Sequence, residues 1–196
     1  MNDLGMAPRW GSAFTRVLGA GVLRLLGWKM DVQLPHDEPH LVITAAPHTS
    51  NWDGILAVAA ILALGIRVNF FAKDSLFRWP FRGLLTALGG VPIRRDAARG
   101  IVEQTADLFA SKPRLFVGVA PEGTRSRAPI WKSGFYRIAM ASGAPILLAY
   151  IDYERRRVGT GPLIRPSGNY EADLAQIQAF YRTIKPRHPQ DFAAEA

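Results

Sequence analysis

The chain has no cysteine, few acidic residues and no long apolar run, and each absence excludes a class of protein. Without cysteine, its 196 residues cannot form a disulfide framework, a thiolate zinc site or a cysteine nucleophile. No segment reaches the ~18–20 uninterrupted apolar residues that a membrane span requires, and the longest, residues 54–66, predicts a buried helix. The apolar content of 48% is enough for one core, which excludes a disordered chain.

The shortage of acidic residues leaves a strongly basic protein. Lys and Arg number 24 against 16 Asp and Glu, so the formal net charge is +8. The surplus lies in the middle of the chain, with seven basic and two acidic residues between 65 and 101. This distribution predicts an acidic partner, either an anionic membrane surface or a phosphorylated substrate. Because there is no basic tail or lysine-rich run, the sequence argues against a nucleic-acid partner.

Short apolar segments alternate with helical ones along the chain. The segments that predict buried strands are residues 41–46, 68–72, 91–93, 115–119 and 144–151. The segments that predict helices are residues 52–64, 80–88, 97–110, 134–142 and 170–184. This order predicts a single α/β domain, residues 36–196, with a largely parallel or mixed central sheet flanked by helices.

An amphipathic helix is predicted before this domain, within an N-terminal segment of residues 1–35. Its apolar stripe consists of Phe14, Val17, Leu18 and Leu25, with basic residues between them. Two interpretations remain open at this point: the helix lies on a membrane interface, or it packs on the protein's own core.

His48 and Asp53 lie five residues apart, where the first predicted strand passes into a helix. At this spacing a carboxylate in the first helical turn can reach back to a ring nitrogen in the preceding loop. That contact would fix the imidazole tautomer and raise the basicity of the other nitrogen. Such a dyad can take a proton from a hydroxyl, an effect worth about 10²–10⁴-fold in rate. We therefore predict that His48 is a general base and that Asp53 orients it.

A second motif, Pro-Glu-Gly-Thr-Arg-Ser at residues 121–126, follows a later strand. Gly123 frees the backbone to approach a ligand, while Arg125 and the hydroxyls of Thr124 and Ser126 offer donors to phosphate oxygens.

Further cations follow the other predicted strands. Lys73 comes at the end of the second strand, and Arg94 and Arg95 come after residues 89–93. Ligands of parallel sheets bind at the carboxyl ends of the strands, so we expect these cations and the two motifs to share one edge.

In this order, the motifs resemble those of the glycerolipid (lysophosphatidate-type) acyltransferases. Residues 48–53 look like the family's first block, residues 89–95 its second, residues 121–126 its third, and residues 144–146 the start of its fourth. Lys73 resembles the lysine that precedes the second block. The chain departs from the family pattern at Ala120 and Leu148, which puts the identity of the acceptor in question more than the chemistry.

The resemblance implies transfer of a fatty acyl group from acyl-CoA or acyl-carrier protein to a lysophospholipid hydroxyl, such as that of 1-acylglycerol-3-phosphate. It implies no metal or bound cofactor. It also assigns residues to the substrates: Glu122 would bind and would hold the arginine loop, and the acceptor phosphate would be held by Lys73, Arg94, Arg95, Gly123, Thr124, Arg125 and Ser126.

Two other functions remain open from the residues alone. The same dyad could serve a thioesterase or lipid hydrolase by activating water. A non-catalytic protein could instead bind anionic lipid with the same cations. For the acyltransferase, a lipid acceptor implies work at the cytoplasmic face of a membrane, in a peripheral or monotopic position. Residues 77–82, which alternate aromatic and arginine side chains, suit such contact, above all Trp79 and Phe81.

Overall fold

The computed structural model describes residues 5–73, 77–93 and 100–193, and a seven-stranded mixed sheet forms its centre. The strands are β1 (Lys29–Asp31), β2 (His40–Ala45), β3 (Val68–Lys73), β4 (Gly90–Ile93), β5 (Leu115–Val119), β6 (Ile146–Asp152) and β7 (Arg157–Ile164). The helices are α1 (Ala13–Leu25), α2 (Asn51–Leu64), α3 (Phe81–Ala87), α4 (Ile101–Ser111), α5 (Gly134–Ser142) and α6 (Tyr170–Tyr181), with a short 3-10 turn at Pro189–Asp191. The predicted α/β fold is confirmed.

The sheet has the strand order β1-β7-β6-β2-β5-β3-β4. The five strands from β6 to β4 are parallel, β7 pairs antiparallel with β6, and β1 pairs parallel with β7. Strand β2 is central, and its residues Leu41, Val42, Ile43 and Thr44 are all buried because layers cover both of its faces. The sheet is therefore mixed, because β7 and β1 run antiparallel to the other five strands.

Each face of the sheet has its own apolar core, since side chains alternate between the faces along a strand. Val42 belongs to a cluster with Phe135 of α5 and Tyr181 of α6. On the opposite face, Leu56 of α2 clusters with Leu23 of α1. The sheet thus separates helices α4 to α6 from the pair α1 and α2.

Helices α1 and α2 pack closely because small residues meet at their contact. A Cβ at Gly19 would lie 2.5 Å from the Ala59 carbonyl oxygen, so only glycine fits there. Leu23 of α1 is buried, whereas Phe14 is 73% exposed and Leu25 is 88% exposed. The predicted N-terminal helix is present: it packs on the protein on one side and leaves the predicted apolar stripe uncovered on the other. Across the described ranges, no helix has the length and apolarity to cross a membrane.

Several predicted boundaries change. Strand β1 was not predicted, and it joins residues 29–31 to the sheet beside β7. The last helix ends at Tyr181, three residues earlier than expected. Helix α4 is described from Ile101, and residues 94–99, where we expected its start, lie outside the described residues. The division of the chain at residue 35 stays a prediction.

Candidate active site

Two loops meet at the carboxyl end of the central strands. His48 lies in the loop after β2, and Glu122 lies in the loop after β5, the parallel neighbour of β2. The backbone N–H of His48 donates to Glu122 Oε2 over 2.8 Å. The two sequence motifs are therefore joined by a direct hydrogen bond.

Asp53 is fixed by the start of helix α2. Ser50 is the N-cap, and Asp53 completes a capping box at the third helical position. Asp53 Oδ2 accepts from the backbone N–H groups of Thr49 (2.9 Å) and Ser50 (2.8 Å). The residue is only 3% exposed, and the contacts that begin the helix hold its Oδ2 in place.

The expected contact between Asp53 and His48 is present, with 3.4 Å between Oδ2 and Nδ1. The other oxygen, Oδ1, accepts from the hydroxyl of Tyr153 over 2.6 Å. Burial alone would raise the pKa of Asp53, but the hydrogen bonds from His48, Tyr153 and Ser50 outweigh it and lower the pKa below 3.8. Asp53 is thus an ionised carboxylate beside the imidazole.

Arg125 faces the other nitrogen of the same ring. Its Nε lies 3.4 Å from His48 Nε2 and is oriented to donate to it. Because arginine can only donate, Nε2 accepts, and the ring proton lies on Nδ1 toward Asp53. This is the tautomer that a general base needs, with its lone pair directed at the exposed arginine loop.

Glu122 is a buried carboxyl beside this loop. Its side chain is 5% exposed, and burial raises its pKa to about 7. Among the described residues, Oε1 has no hydrogen-bond partner. In this geometry Glu122 holds the backbone of the histidine loop.

The loop that carries Gly123, Thr124, Arg125 and Ser126 is exposed to solvent. Gly123 has a φ of 66°, and a Cβ there would lie 2.7 Å from Lys132 Nζ. The absence of a side chain at this position therefore lets the lysine pass over the loop. Two cations, Arg125 and Lys132, lie at this edge of the sheet.

For the other predicted cations, the structure gives no side-chain positions. Lys73 ends β3, and its side chain is not described. Arg94 and Arg95 lie outside the described residues. Their place in an anion site stays a prediction.

An apolar cavity of about 410 Å³ opens next to the dyad. It runs between the sheet and α2 from Asp53 to Leu64, so His48, Asp53 and Arg125 line one end. Ala45 lines it too, and this residue is exposed although it lies on the central strand. A void of this size falls within the roughly 300–1,000 Å³ that is usual for small-molecule sites.

The two residues that depart from the family pattern, Ala120 and Leu148, differ in whether they line this cavity. Ala120 lines the cavity, whereas Leu148 is fully buried in the cluster on the opposite face of the sheet. Leu148 therefore does not shape the cleft. Within the described ranges, no group of three or more His, Asp or Glu side chains could hold a metal ion.

Three residues at the site were not among those predicted from the motifs: Lys132, Tyr153 and Arg187, whose guanidinium lies over the ring of Trp52. Lys132 had a signal, since it belongs to a short Lys-Ser-Gly segment that resembles the family just after the third block. Tyr153 and Arg187 had none, because they lie far along the chain from the residues that they approach.

Comparisons with known proteins bear on the family and on the fold. A family model described as Acyltransferase matches residues 30–151, more than half of the chain. The crystal structure of the 1-acyl-sn-glycerophosphate (LPA) acyltransferase PlsC from Thermotoga maritima superposes with a TM-score of 0.62 and 20% identity, over 87% of this chain and 76% of that one. No curated protein matches the sequence. The family model confirms the resemblance drawn from the motifs, and the superposition confirms the fold: the chain belongs to the acyltransferase family and is an acyltransferase.

Proposed function

We propose that this acyltransferase moves a fatty acyl group from a thioester donor, acyl-CoA or acyl-carrier protein, to the hydroxyl of a lysophospholipid such as 1-acylglycerol-3-phosphate. The observation that carries the proposal is the meeting of three features at one point. The lone pair of His48 Nε2, the cation Arg125 and the end of an apolar cavity lie side by side. The activity named for the structurally similar PlsC supports the same class of acceptor.

The chemistry follows from the dyad. The acceptor hydroxyl takes the place at Nε2 that the Arg125 N–H holds, and His48 removes its proton as the oxygen attacks the thioester carbonyl carbon. Asp53 stabilises the imidazolium that forms. The carbon–sulfur bond then breaks, and the imidazolium returns the proton to the leaving thiolate. The product is an ester and a free thiol, and no acyl-enzyme intermediate is needed.

The loop cations suit a phosphate on the acceptor. Arg125 can donate to two phosphate oxygens at once, and Lys132 adds a point charge beside Gly123. A phosphate bound there would draw the Arg125 guanidinium away from His48 and free Nε2 for the hydroxyl. Lys73, Arg94 and Arg95 are proposed to complete the same site.

The cavity suits an acyl chain. Its walls are mainly aliphatic, including Ala45 of β2, Ile61 of α2 and Ala149 of β6. Each methylene moved from water into such a site contributes about 0.8 kcal/mol. With one end of the cavity at the dyad, the carbonyl of a bound acyl group would lie near His48.

Membrane association is supported by exposed apolar side chains on α1, on α2 and at Trp79. The α1 stripe points away from the protein, and Trp52 and Ile55 of α2 are also exposed, next to Asp53 in sequence. Trp79 is 92% exposed, whereas the side chain of Phe81 is not described. Arg16 and Arg24 flank the stripe and can reach lipid phosphates. We propose peripheral attachment at the cytoplasmic face.

Mass spectrometry of the lipid products tests the proposal. The purified protein is offered a panel of lysophospholipids and monoacylglycerol, each with acyl-CoA or with acyl-carrier protein. We expect a diacyl product with a phosphate-bearing acceptor, and its loss in the folded variant His48→Ala. His36→Ala, a change at an exposed turn, is the matched control and should retain activity.

Two results would contradict the proposal. Free fatty acid without diacyl product would identify a hydrolase that uses the same dyad. Near-normal transfer by a folded His48→Ala variant would remove the base from the mechanism.

A further inference from the structure

Tyr153 makes a direct hydrogen bond to the carboxylate of the dyad, although it lies outside the residues that match the family model. We propose that Tyr153, supported by Arg187, is a positioning residue that holds Asp53 in the orientation that serves His48. The inference rests on the proposed function of the dyad and adds a residue that none of the motifs contains.

The position of Tyr153 follows from the sheet. It comes directly after β6, whose parallel neighbour β2 leads into the His48 loop. Its ring packs edge-on against Trp28, with 4.9 Å between the ring centroids. Its backbone N–H donates to the Lys185 carbonyl over 2.8 Å. The ring and the backbone of Tyr153 are therefore both held in place. From this position its hydroxyl donates to Asp53 Oδ1 over 2.6 Å.

Arg187 is the second residue that approaches the Tyr153 hydroxyl. Its guanidinium interacts with the Tyr153 oxygen, which can accept from it while donating to Asp53. The same guanidinium lies 5.4 Å from the centroid of the Trp52 ring, in the first turn of α2. The next residue, His188, donates its backbone N–H to Thr49 Oγ1 over 3.3 Å. Residues 185–188 thus connect Tyr153 with the loop between His48 and Asp53.

The two carboxylate oxygens of Asp53 have different hydrogen-bond partners. Oδ2 accepts from two backbone N–H groups and approaches His48 Nδ1, whereas Oδ1 faces the Tyr153 hydroxyl. A carboxylate with one oxygen left without its donor in a buried site turns or recruits a new partner. Such a turn would change the angle at which Oδ2 meets His48. Tyr153 therefore acts on the base through Asp53 and touches no reacting atom.

The test compares two tyrosine-to-phenylalanine variants. Tyr153→Phe removes the hydroxyl at the dyad and keeps the ring against Trp28. Tyr136→Phe removes an equivalent hydroxyl, which donates to the buried Asp173 over 2.7 Å in another part of the fold. We expect Tyr153→Phe to lower kcat by about 10–150-fold, the range for a hydrogen bond to a charged group, with both KM values within about twofold of wild type. Tyr136→Phe should lower the unfolding temperature without this loss of kcat.

A second readout needs no substrate. The ring-nitrogen signals of His48 in an NMR spectrum, assigned with a His48→Gln variant, report the tautomer directly. We expect one tautomer, protonated at Nδ1, in wild type and in Tyr136→Phe, and a mixture in Tyr153→Phe. Arg187→Gln, which leaves Tyr153 intact, should lower kcat in the same direction by a smaller factor.

The outcomes separate this inference from the proposed function. If wild type makes no diacyl lipid, the proposed function fails, and the NMR comparison still decides the role of Tyr153. Wild-type kcat and wild-type nitrogen signals in Tyr153→Phe would overturn the inference alone. Equal losses of kcat in Tyr153→Phe and Tyr136→Phe would overturn it as well, because they would show a general effect of stability.

Discussion

Glu122 is an ionisable group whose burial should affect the stability of the whole protein. Its pKa is raised from an ordinary value of 4.5 to about 7 because the side chain is 5% exposed. Between these two values the folded chain holds a proton that the unfolded chain has released. By linkage, the free energy of unfolding falls as the pH rises from about 4.5 through about 7, and it levels off above.

The substitution Glu122→Gln removes this titration and keeps the size of the side chain. A gap between 4.5 and about 7 corresponds to a total of about 3 kcal/mol, most of which falls between pH 5 and pH 8. We therefore expect the free energy of unfolding of the variant to gain about 2–3 kcal/mol relative to wild type over that interval. Groups that have no interaction with Glu122 titrate equally in both proteins, so their contributions cancel in the difference.

Urea unfolding at a series of pH values measures the effect, with the same slope against urea required of both proteins. Glu171→Gln, a change at an exposed glutamate of α6, controls for the substitution itself. A difference between Glu122→Gln and wild type that stays constant from pH 5 to pH 8 would refute the reasoning. It would mean that Glu122 is ionised in the fold at little cost.

Three further predictions concern the two substrates and the membrane. Arg125→Ala should raise KM for a phosphate-bearing acceptor about 10–150-fold and leave KM for the donor and for monoacylglycerol unchanged, as initial rates will show; a loss confined to the donor would reassign the arginine. Ala45→Leu should fill part of the cavity and shorten the preferred acyl chain by about two to three carbons, which competition among saturated donors measures; an unchanged preference would place the acyl chain elsewhere. The pair Phe14→Ser and Leu25→Ser should weaken sedimentation with anionic vesicles about 10–100-fold without unfolding the protein, since both side chains are largely exposed; undiminished binding would exclude the α1 stripe as the membrane contact.

The parallel part of the fold was predictable because its strands are short apolar runs between turn residues. Residues 41–46, for example, are apolar or small on both faces of the strand, so they are buried only where layers cover both faces of the sheet. Strand β2 is central and is covered in this way. The β7–β1 edge was not predictable to the same extent. Lys29–Asp31 is a three-residue strand with two charged side chains, and it exists because β7 offers it an edge. Its pairing is a property of the assembled sheet.

The site divides in the same way. The contact between His48 and Asp53 was predictable, since it depends on six residues of local sequence and on the start of a helix. For His48 and Glu122, the sequence could predict that the two residues lie near each other but not the hydrogen bond between them, because that bond requires β2 and β5 to pair. Tyr153 reaches Asp53 from 100 residues away, and neither residue's local sequence indicates the other. Such contacts depend on how the helices and the tail cover the sheet.

The capping box of α2 has a consequence for reading other sequences. The carboxylate of Asp53 both caps the start of α2 and faces the His48 imidazole. Because the cap stabilises the helix, an aspartate would be favoured at this position even in a chain that catalyses nothing. An aspartate at this place in a distant sequence therefore says little about chemistry. His48 is the more informative of the two, because its ring has no part in the cap. A sequence that keeps the aspartate but lacks the histidine would retain the helix start and lose the proposed base.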